Sequence, residues 1–337
     1  MKTPYNILIV GAGKIGTIRA NVARKLSPKS TIYVFDSDFK KANDLAKNVN
    51  GIAIKSLNKG LQDSNINLVV VAVPNKYSKS ICISALKNKK HVLCEKPMGR
   101  NYKEAKEIDQ AVNKYKRKFK CGFNHRYHPA ISKAYRIVKQ GEIGNILFIR
   151  AVYGHGGRTG YEKEWRARKS LSGGGELLDQ GSHLIDLCNW FFNFEDTSKS
   201  FCIAKPMFWK MNVDDNAFAI FETKSGKVAQ IHSSWTQWKN LFRFEVYGTK
   251  GALKVHGLGK SYGVETLSLY KRIRPGAPPQ VIKKQYKSYD KSWEDEWLDF
   301  KACIDSKRLH MSNEKESLQV MKIIGDLYQP HKKIKPN

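Results

Sequence analysis

A glycine-rich turn near the start of the chain restricts its fold more than any other feature. An apolar run at residues 6–10 (NILIV) leads directly into residues 11–16 (GAGKIG), which open an amphipathic segment. In such a turn Gly11 permits a tight bend, Gly13 lets the backbone approach a pyrophosphate, and Gly16 lets helix and strand pack closely. The N–H groups at the start of a helix favour an anion. The sequence therefore predicts a strand–turn–helix unit that binds a dinucleotide.

An acidic residue supports this interpretation over a glycine turn in an unrelated α/β protein. Asp36 ends the next predicted strand, about 20 residues beyond the turn, where a carboxylate contacts the ribose hydroxyls. Asp36 would also repel a 2′-phosphate, so NAD is the predicted cofactor. NADP stays open, because Lys40 and Lys41 are close in sequence. The predicted cofactor-binding residues are Gly11, Gly13, Lys14, Ile15, Gly16, Asp36, Val73, Pro74, Asn75, Glu95 and Lys96.

Hydrophobic periodicity divides the chain into two predicted domains. Residues 5–122 alternate short apolar strands with amphipathic helices, which is typical of a parallel sheet with crossover helices. From residue 201 to about 284 the alternation has a period of two, which indicates an antiparallel sheet. We predict an α/β protein with a doubly wound Rossmann domain at 1–123. An α+β domain with a large, mainly antiparallel sheet follows at 124–337.

Composition excludes several other classes of protein. The net charge is +30, but the lysines are scattered and no helix-turn-helix, zinc-finger or RNP-type signature is present. We therefore predict no specific nucleic-acid binding, and a positive potential that attracts an anionic substrate. No apolar run approaches the ~20 residues that a membrane span needs, and the first strand leaves no room for a signal peptide, so a cytoplasmic location is expected. The six cysteines lack any CxxC pair, which favours reduced thiols and no metal site.

Two further motifs carry side chains suited to proton and charge transfer. Lys96 lies in a Glu-Lys-Pro sequence at the carboxyl end of a predicted strand, where ligands bind in open α/β sheets. A lysine there is able to stabilise a developing alkoxide. Asp179 and His183 are four residues apart on a largely apolar helix predicted over 175–192, and Asp186 follows one turn later. A buried histidine beside carboxylates suits proton transfer, and either aspartate is placed to orient it.

These motifs together resemble the Gfo/Idh/MocA (glucose-fructose oxidoreductase and inositol dehydrogenase) family over nearly the whole chain. The resemblance rests on residues 11–16, Asp36, the Glu-Lys-Pro, residues 122–127 (GFNHRY) and the glycine-rich helix start before Asp179. It implies an NAD(P)-dependent oxidoreductase acting on CH–OH groups, in which hydride passes from the carbinol carbon to nicotinamide. It also implies that Lys96 positions the substrate hydroxyl and His183 is the general base. Asp179 would contact the substrate or orient the histidine.

The resemblance carries three further expectations. The Lys96–Pro97 bond is expected to be cis, which costs an X-Pro bond only ~0.5–1 kcal/mol. A homodimer or homotetramer is expected to form through the C-terminal sheet. Some family members bind the cofactor without catalysis and act as regulators. That alternative is less favoured, because such members tend to lose the lysine and histidine pair that this chain keeps.

The substrate class is only partly defined by the sequence. A loop at 153–166 is rich in groups that hydrogen-bond sugars, and its arginines, with Arg126, are able to pair with a carboxylate or phosphate, although surface charge explains each one equally well. A sugar, sugar acid, nucleotide sugar or cyclitol is expected. Trp235 and Trp238 are able to stack on a sugar ring, with core packing as the alternative. The predicted substrate-binding residues are Lys96, Asn124, Arg126, His155, Arg158, Tyr161, Trp165, Asp179 and His183.

Overall fold

The computed structural model describes residues 5–274, 276–287, 290–306 and 311–329. These residues form two compact units. The first contains residues 5–127, 170–173, 291–306 and 311–318, and the second contains the remaining described residues. The predicted division after residue 123 assigns these late segments to the C-terminal domain, whereas residues 291–306 and 311–318 group with the first unit.

The first unit is built on a six-stranded parallel sheet with the order β3-β2-β1-β4-β5-β6. Its strands are β1 Ile7–Val10, β2 Ile32–Phe35, β3 Ile52–Ala53, β4 Leu68–Val71, β5 His91–Cys94 and β6 Phe119–Cys121. The crossover helices are α1 Lys14–Leu26, α2 Phe39–Asn48, α3 Leu57–Gln62, α4 Asn75–Lys87 and α5 Tyr102–Tyr115. Every residue of β1 and β4 is buried, as expected for a sheet covered on both faces. This confirms the predicted doubly wound sheet, to which the structure adds α3.

The second unit is built on an eight-stranded sheet with the order β14-β13-β12-β11-β7-β10-β9-β8. Only β7 and β10 pair in parallel, and the other neighbours are antiparallel. The strands are β7 Ile146–Gly154, β8 Thr197–Lys205, β9 Asn216–Thr223, β10 Val228–Ser234, β11 Leu241–Gly248, β12 Gly251–His256, β13 Glu265–Lys271 and β14 Gln280–Tyr286. This confirms the predicted, mainly antiparallel sheet.

Helices α6 Pro129–Lys139, α7 Lys169–Ser172, α8 Glu176–Asp179 and α9 Gly181–Phe191 complete the middle of the chain. Both α6 and α9 pack against the eight-stranded sheet. Because α8 ends at Asp179 and α9 begins at Gly181, the single helix predicted over 175–192 is interrupted at Gln180. The turn is tightened there, because the His183 N–H bonds to the Gln180 carbonyl only three residues back, and the Ser182 hydroxyl donates to the Asp179 carbonyl at 2.7 Å.

Two helices, α10 Ser292–Ser306 and α11 Glu314–Leu327, lie near the end of the chain. The side chains of Trp297 and Phe300 on α10 are buried in the same apolar cluster as Ile7, Ile9 and Leu45. This burial explains why α10 belongs with the parallel-sheet unit despite its late position in the sequence. In the described part of the chain, no helix is both long enough and apolar enough to cross a lipid bilayer.

Candidate functional site

The three glycines of the first turn meet very different surroundings. Gly11 has a φ of +101°, and a Cβ there would lie 2.2 Å from the Ala72 carbonyl oxygen. A Cβ on Gly16 would lie 1.8 Å from the carbonyl oxygen of Gly11. By contrast, a Cβ on Gly13 would meet nothing within 4 Å. Gly13 is the N-cap of α1, and no side chain caps this helix. The turn therefore leaves open space before a helix N-terminus, which fits the pyrophosphate of a dinucleotide.

Asp36, the predicted ribose-binding carboxylate, lies against the same turn. Its Oδ2 accepts the Ala12 N–H at 2.7 Å, and its Oδ1 accepts the Asp38 N–H at 2.9 Å. The end of β2 is thereby tied to the turn after β1, and the carboxylate is fixed beside the open space. Contact with a ribose remains a prediction.

The residues predicted near the nicotinamide follow β4 and β5. Pro74 is the N-cap of α4, and the Asn75 side chain is buried and donates to the Ser172 carbonyl at 2.7 Å. Lys96 is half-buried directly after β5. The Lys96–Pro97 peptide bond is cis, as expected.

A buried ion network at the end of β5 was not foreseen. Glu95 Oε1 lies 2.6 Å from Arg19 Nε, and Arg19 Nη2 lies 2.6 Å from Glu296 Oε2, with the arginine and Glu296 side chains fully buried. The carboxylate of Glu95 is thus held by α1, and its predicted contact with the cofactor stays a prediction. One signal was available: Arg19 lies in the buried stripe of α1 with Gly16 and Ala20, where an unpaired charge would be costly.

Two predicted substrate residues are engaged within the parallel-sheet unit. The Asn124 amide donates to Ser292 Oγ at 2.8 Å, and the fully buried Arg126 places Nη1 2.5 Å from Glu316 Oε2. These contacts explain both side chains by packing and charge pairing. Contact of Asn124 and Arg126 with the substrate stays a prediction.

In the second unit, the strand register places several loops at one end of the sheet. Ser234 at the end of β10 is paired with Gly154 at the end of β7 and with Asn216 at the start of β9. Leu241 at the start of β11 is also paired with Gly154. The loops that adjoin these residues carry His155, Arg158, Tyr161 and Trp165, and they therefore share this end.

The predicted catalytic residues of this unit lie on helices α8 and α9. His183 is buried in α9, and its ring packs edge-on against Tyr153 with centroids 6.2 Å apart. Asp179 ends α8, and its side chain is 22% exposed, whereas Asp186 is fully buried. Of the two aspartates that the sequence left open, Asp179 is thus the one that solvent reaches.

A buried carboxylate fixes the start of α8. Asp214 accepts the N–H groups of Gly175 and Leu177 at 3.0 and 2.9 Å and the Tyr328 hydroxyl at 2.8 Å. Burial raises the pKa of Asp214, while these donors act in the opposite direction. The three hydrogen bonds hold the glycine-rich segment that positions Asp179.

The two arginines of the loop are paired with carboxylates. Arg158 donates to Glu164 through Nε and Nη2 at 2.7 and 2.6 Å, and Arg166 Nε lies 3.2 Å from Asp179 Oδ2. Arg166 Nη1 also lies 3.8 Å from Glu164. The cluster therefore contains two positive side chains, Arg158 and Arg166, and two negative ones, Glu164 and Asp179. The charges of these four side chains therefore cancel one another.

Aromatic side chains line the neighbouring part of the loop. The His155 ring accepts the Gly157 N–H at Nδ1, and burial lowers its pKa, so it is neutral near pH 7. Tyr161 is buried between His155 and Trp235, with ring centroids 5.7 and 4.9 Å away. Trp235 itself is fully buried and belongs to the core. The guanidinium of Arg166 covers the ring of Trp165 at 4.6 Å.

Sequence reasoning missed two polar residues of this region, Gln180 and Tyr262. Gln180 Nε2 donates to the Tyr262 hydroxyl at 3.3 Å, and the hydroxyls of Tyr262 and Tyr153 are hydrogen-bonded to each other. Burial raises the pKa of both phenols, so both are protonated at neutral pH. Tyr262 lies on a short 3₁₀ turn between β12 and β13, and no periodic pattern in the sequence marks it.

Comparison with known proteins gives a consistent result for both units. Residues 5–123 match the model of an oxidoreductase family with an NAD-binding Rossmann fold, and residues 131–254 match the GFO/IDH/MocA C-terminal domain. A solved levoglucosan dehydrogenase complex with NADH and levoglucosan has a TM-score of 0.87 at 20% identity, over 96% of each chain.

Curated relatives are similar over part of their length. Levoglucosan dehydrogenase of Pseudarthrobacter phenanthrenivorans is 26% identical over 57% of this chain, and glucose-6-phosphate 3-dehydrogenase of Bacillus subtilis is 29% identical over 57%. The matched stretch spans 56% and 55% of these two relatives. Since the two family models match successive stretches that together cover most of the chain, the protein belongs to the Gfo/Idh/MocA family, with an NAD-binding Rossmann domain as its first unit.

Proposed function

We propose that this protein is an NAD-dependent dehydrogenase that oxidises a secondary alcohol of a sugar or cyclitol. The observation that carries the proposal is the buried His183, which follows the partly exposed carboxylate of Asp179 within one turn. A histidine in that position is suited to accept a hydroxyl proton. Lys96, half-buried at the carboxyl end of β5, is suited to stabilise the developing alkoxide.

The residues of the first unit suit the cofactor that this reaction needs. Bound NAD would supply the acceptor for the hydride of the carbinol carbon. The open space at Gly13 and the backbone N–H groups at the start of α1 would hold its pyrophosphate, and Asp36 would accept the ribose hydroxyls.

The charge pairing around Asp179 supports a neutral substrate over an anionic one. An anion beside Arg158 or Arg166 would also meet the carboxylates of Glu164 and Asp179, so repulsion by the carboxylates would offset attraction by the arginines. A polyol meets no such repulsion. Its hydroxyls are able to use Asp179, His183 and the phenol of Tyr262.

The test is NADH formation at 340 nm with neutral sugars and cyclitols, compared with sugar phosphates and sugar acids. We expect turnover with a neutral member, and a loss of about 10²–10⁴-fold in turnover for His183→Asn with little change in NAD affinity. Lys96→Ala should abolish turnover, while Lys103→Ala on α5 serves as the matched control. NAD binding without turnover on any member of the panel would refute catalysis and favour the regulator.

We also propose that the outer face of the eight-stranded sheet binds a second copy of the chain. On the edge strand β8 and its neighbour β9, Phe201 pairs with Ile220 and Ile203 pairs with Phe218, and all four side chains are between 42% and 49% exposed. An apolar patch of this kind is typical of an interface. Sedimentation velocity should show a dimer or tetramer that Ile220→Asp dissociates and Leu298→Asp on α10 does not. A monomeric wild-type protein would contradict the proposal.

A further inference from the structure

Two large aromatic side chains of the second unit are exposed to solvent. Phe208 is 58% exposed and Trp238 is 65% exposed, and their rings meet edge to face with centroids 4.8 Å apart. Trp238 has a φ of +56°, a backbone region that bulky residues rarely adopt. We call this pair the aromatic platform. Exposed apolar groups held in an unfavourable conformation point to a binding role.

The backbone under the aromatic platform is held firmly. The fully buried Asp215 accepts three successive N–H groups, those of Met207, Phe208 and Trp209, at 2.8, 2.8 and 2.7 Å. On the other side, a Cβ on Gly156 would lie 3.2 Å from the Cα of Trp238, so the two loops are in close contact. The backbone that carries both rings is therefore held in place, which lowers the entropic cost of binding a ligand.

The aromatic platform continues from the proposed substrate site. Phe208 packs edge-on against Trp209 at 5.3 Å, Trp209 packs against Tyr161 at 5.9 Å, and Tyr161 packs against His155 at 5.7 Å. The guanidinium of Arg158 lies 5.0 Å from the centre of the Tyr161 ring, and Glu164 lies 2.6 Å from Arg158 and 3.8 Å from Arg166. Because Arg166 is paired with Asp179 at 3.2 Å, that carboxylate lies near the inner end of the series. A run of rings thus leads from Asp179 to the exposed pair.

We propose that the aromatic platform is an outer subsite for a second pyranose ring, so that the preferred substrate is a glycoside. This inference rests on the proposed dehydrogenase function and extends it. One face of a pyranose presents only C–H groups, which an aromatic ring removes from water while the hydroxyls at the ring edge stay hydrated. Two side chains match the size of one sugar ring, whereas a stable protein interface buries about 800 Å² on each partner. The balanced charges of Arg158, Glu164, Arg166 and Asp179 are consistent with a neutral glycoside.

The test compares glucose and methyl β-D-glucopyranoside with cellobiose, lactose and maltose, using the full chain with NAD. We expect kcat/KM for at least one disaccharide to exceed that of its monosaccharide by about tenfold, mostly through KM. Trp238→Ala and Phe208→Ala should remove this advantage and change monosaccharide kcat/KM less than twofold. Trp238→Tyr should retain most of it. Tyr102→Ala on α5, which also removes an exposed aromatic ring, should have no effect.

A binding readout separates the subsite from the catalytic function. Disaccharide should quench tryptophan emission of the NAD-loaded protein, and Trp238→Ala should remove the quenching. Quenching without NADH formation from any sugar would refute the dehydrogenase and leave the subsite supported. Unchanged disaccharide KM and quenching in Trp238→Ala and Phe208→Ala would overturn the subsite. A lower molecular mass of Trp238→Ala in sedimentation velocity would also overturn the subsite, because it would show that the aromatic platform is a contact between copies of the chain.

Discussion

Substitution of the first-turn glycines by alanine separates cofactor binding from folding. Gly13 has φ −76° and ψ −174°, which alanine adopts freely, and its Cβ would enter open space. Gly13→Ala should therefore leave the protein as stable as wild type, or more stable by about 0.4–1 kcal/mol through the unfolded chain. The new methyl group would occupy the space that we assign to the pyrophosphate. Loss of one charged hydrogen bond, at about 1.5–3 kcal/mol, raises the NAD Kd at least tenfold.

The matched variant Gly16→Ala, unlike Gly13→Ala, should lower the stability of the protein. Its Cβ would lie 1.8 Å from the Gly11 carbonyl oxygen, where real contacts are essentially never below 3.0 Å. The helix would have to move by more than 1 Å, and overpacking of this kind costs about 1–3 kcal/mol, against ~1 kcal/mol gained in helix propensity.

Isothermal titration with NAD and thermal unfolding of both variants measure the two effects. We expect weak binding with an unchanged Tm for Gly13→Ala, and a lowered Tm for Gly16→Ala. Wild-type NAD affinity in Gly13→Ala would refute the assignment of the open space. A Tm loss in Gly13→Ala equal to that of Gly16→Ala would refute the packing argument.

Three further predictions concern side chains. Asp179→Asn should lower turnover more than Asp186→Asn, because Asp179 is the aspartate that solvent reaches, and the reverse order would make Asp186 the orienting residue. Asp36 should make NAD bind at least tenfold more tightly than NADP by titration, with the preference reduced in Asp36→Asn; tighter NADP binding would contradict this. Burial, followed by the charges of Arg117 and Lys118, lowers the pKa of His91 from 6.5 to about 4. Since the unfolded chain takes up this proton more readily, stability should fall as the pH drops below 6.5, by up to about 2 kcal/mol between pH 7 and 5. Urea denaturation should show a smaller loss for His91→Gln, and equal losses would exclude His91 as the cause.

The position of the cofactor turn was predictable because its physics is local. A tight bend, a close backbone approach and helix packing each require glycine at a particular spacing, so Gly11, Gly13 and Gly16 mark the turn once the preceding apolar strand and Asp36 are in place. The two sheets were predictable for a similar reason, since hydrophobic periodicity reports which faces are covered. The break between α8 and α9 was not predictable, because hydrophobic periodicity does not report which carbonyl each backbone N–H contacts.

Tertiary structure alone decided what each polar and aromatic side chain contacts. Nothing near Arg126 in the sequence shows that its partner is Glu316, about 190 residues away. Trp235 and Trp238 are equivalent in the sequence pattern, yet one is buried in the core and the other is the most exposed large aromatic side chain of the described residues. A motif specifies residue types and spacing along one segment, whereas pairing and burial depend on which distant segments pack against it. For that reason the sequence by itself determined the fold and the chemistry-bearing residues, and only the packed structure decided the charge balance at Asp179 and the exposure of the aromatic platform.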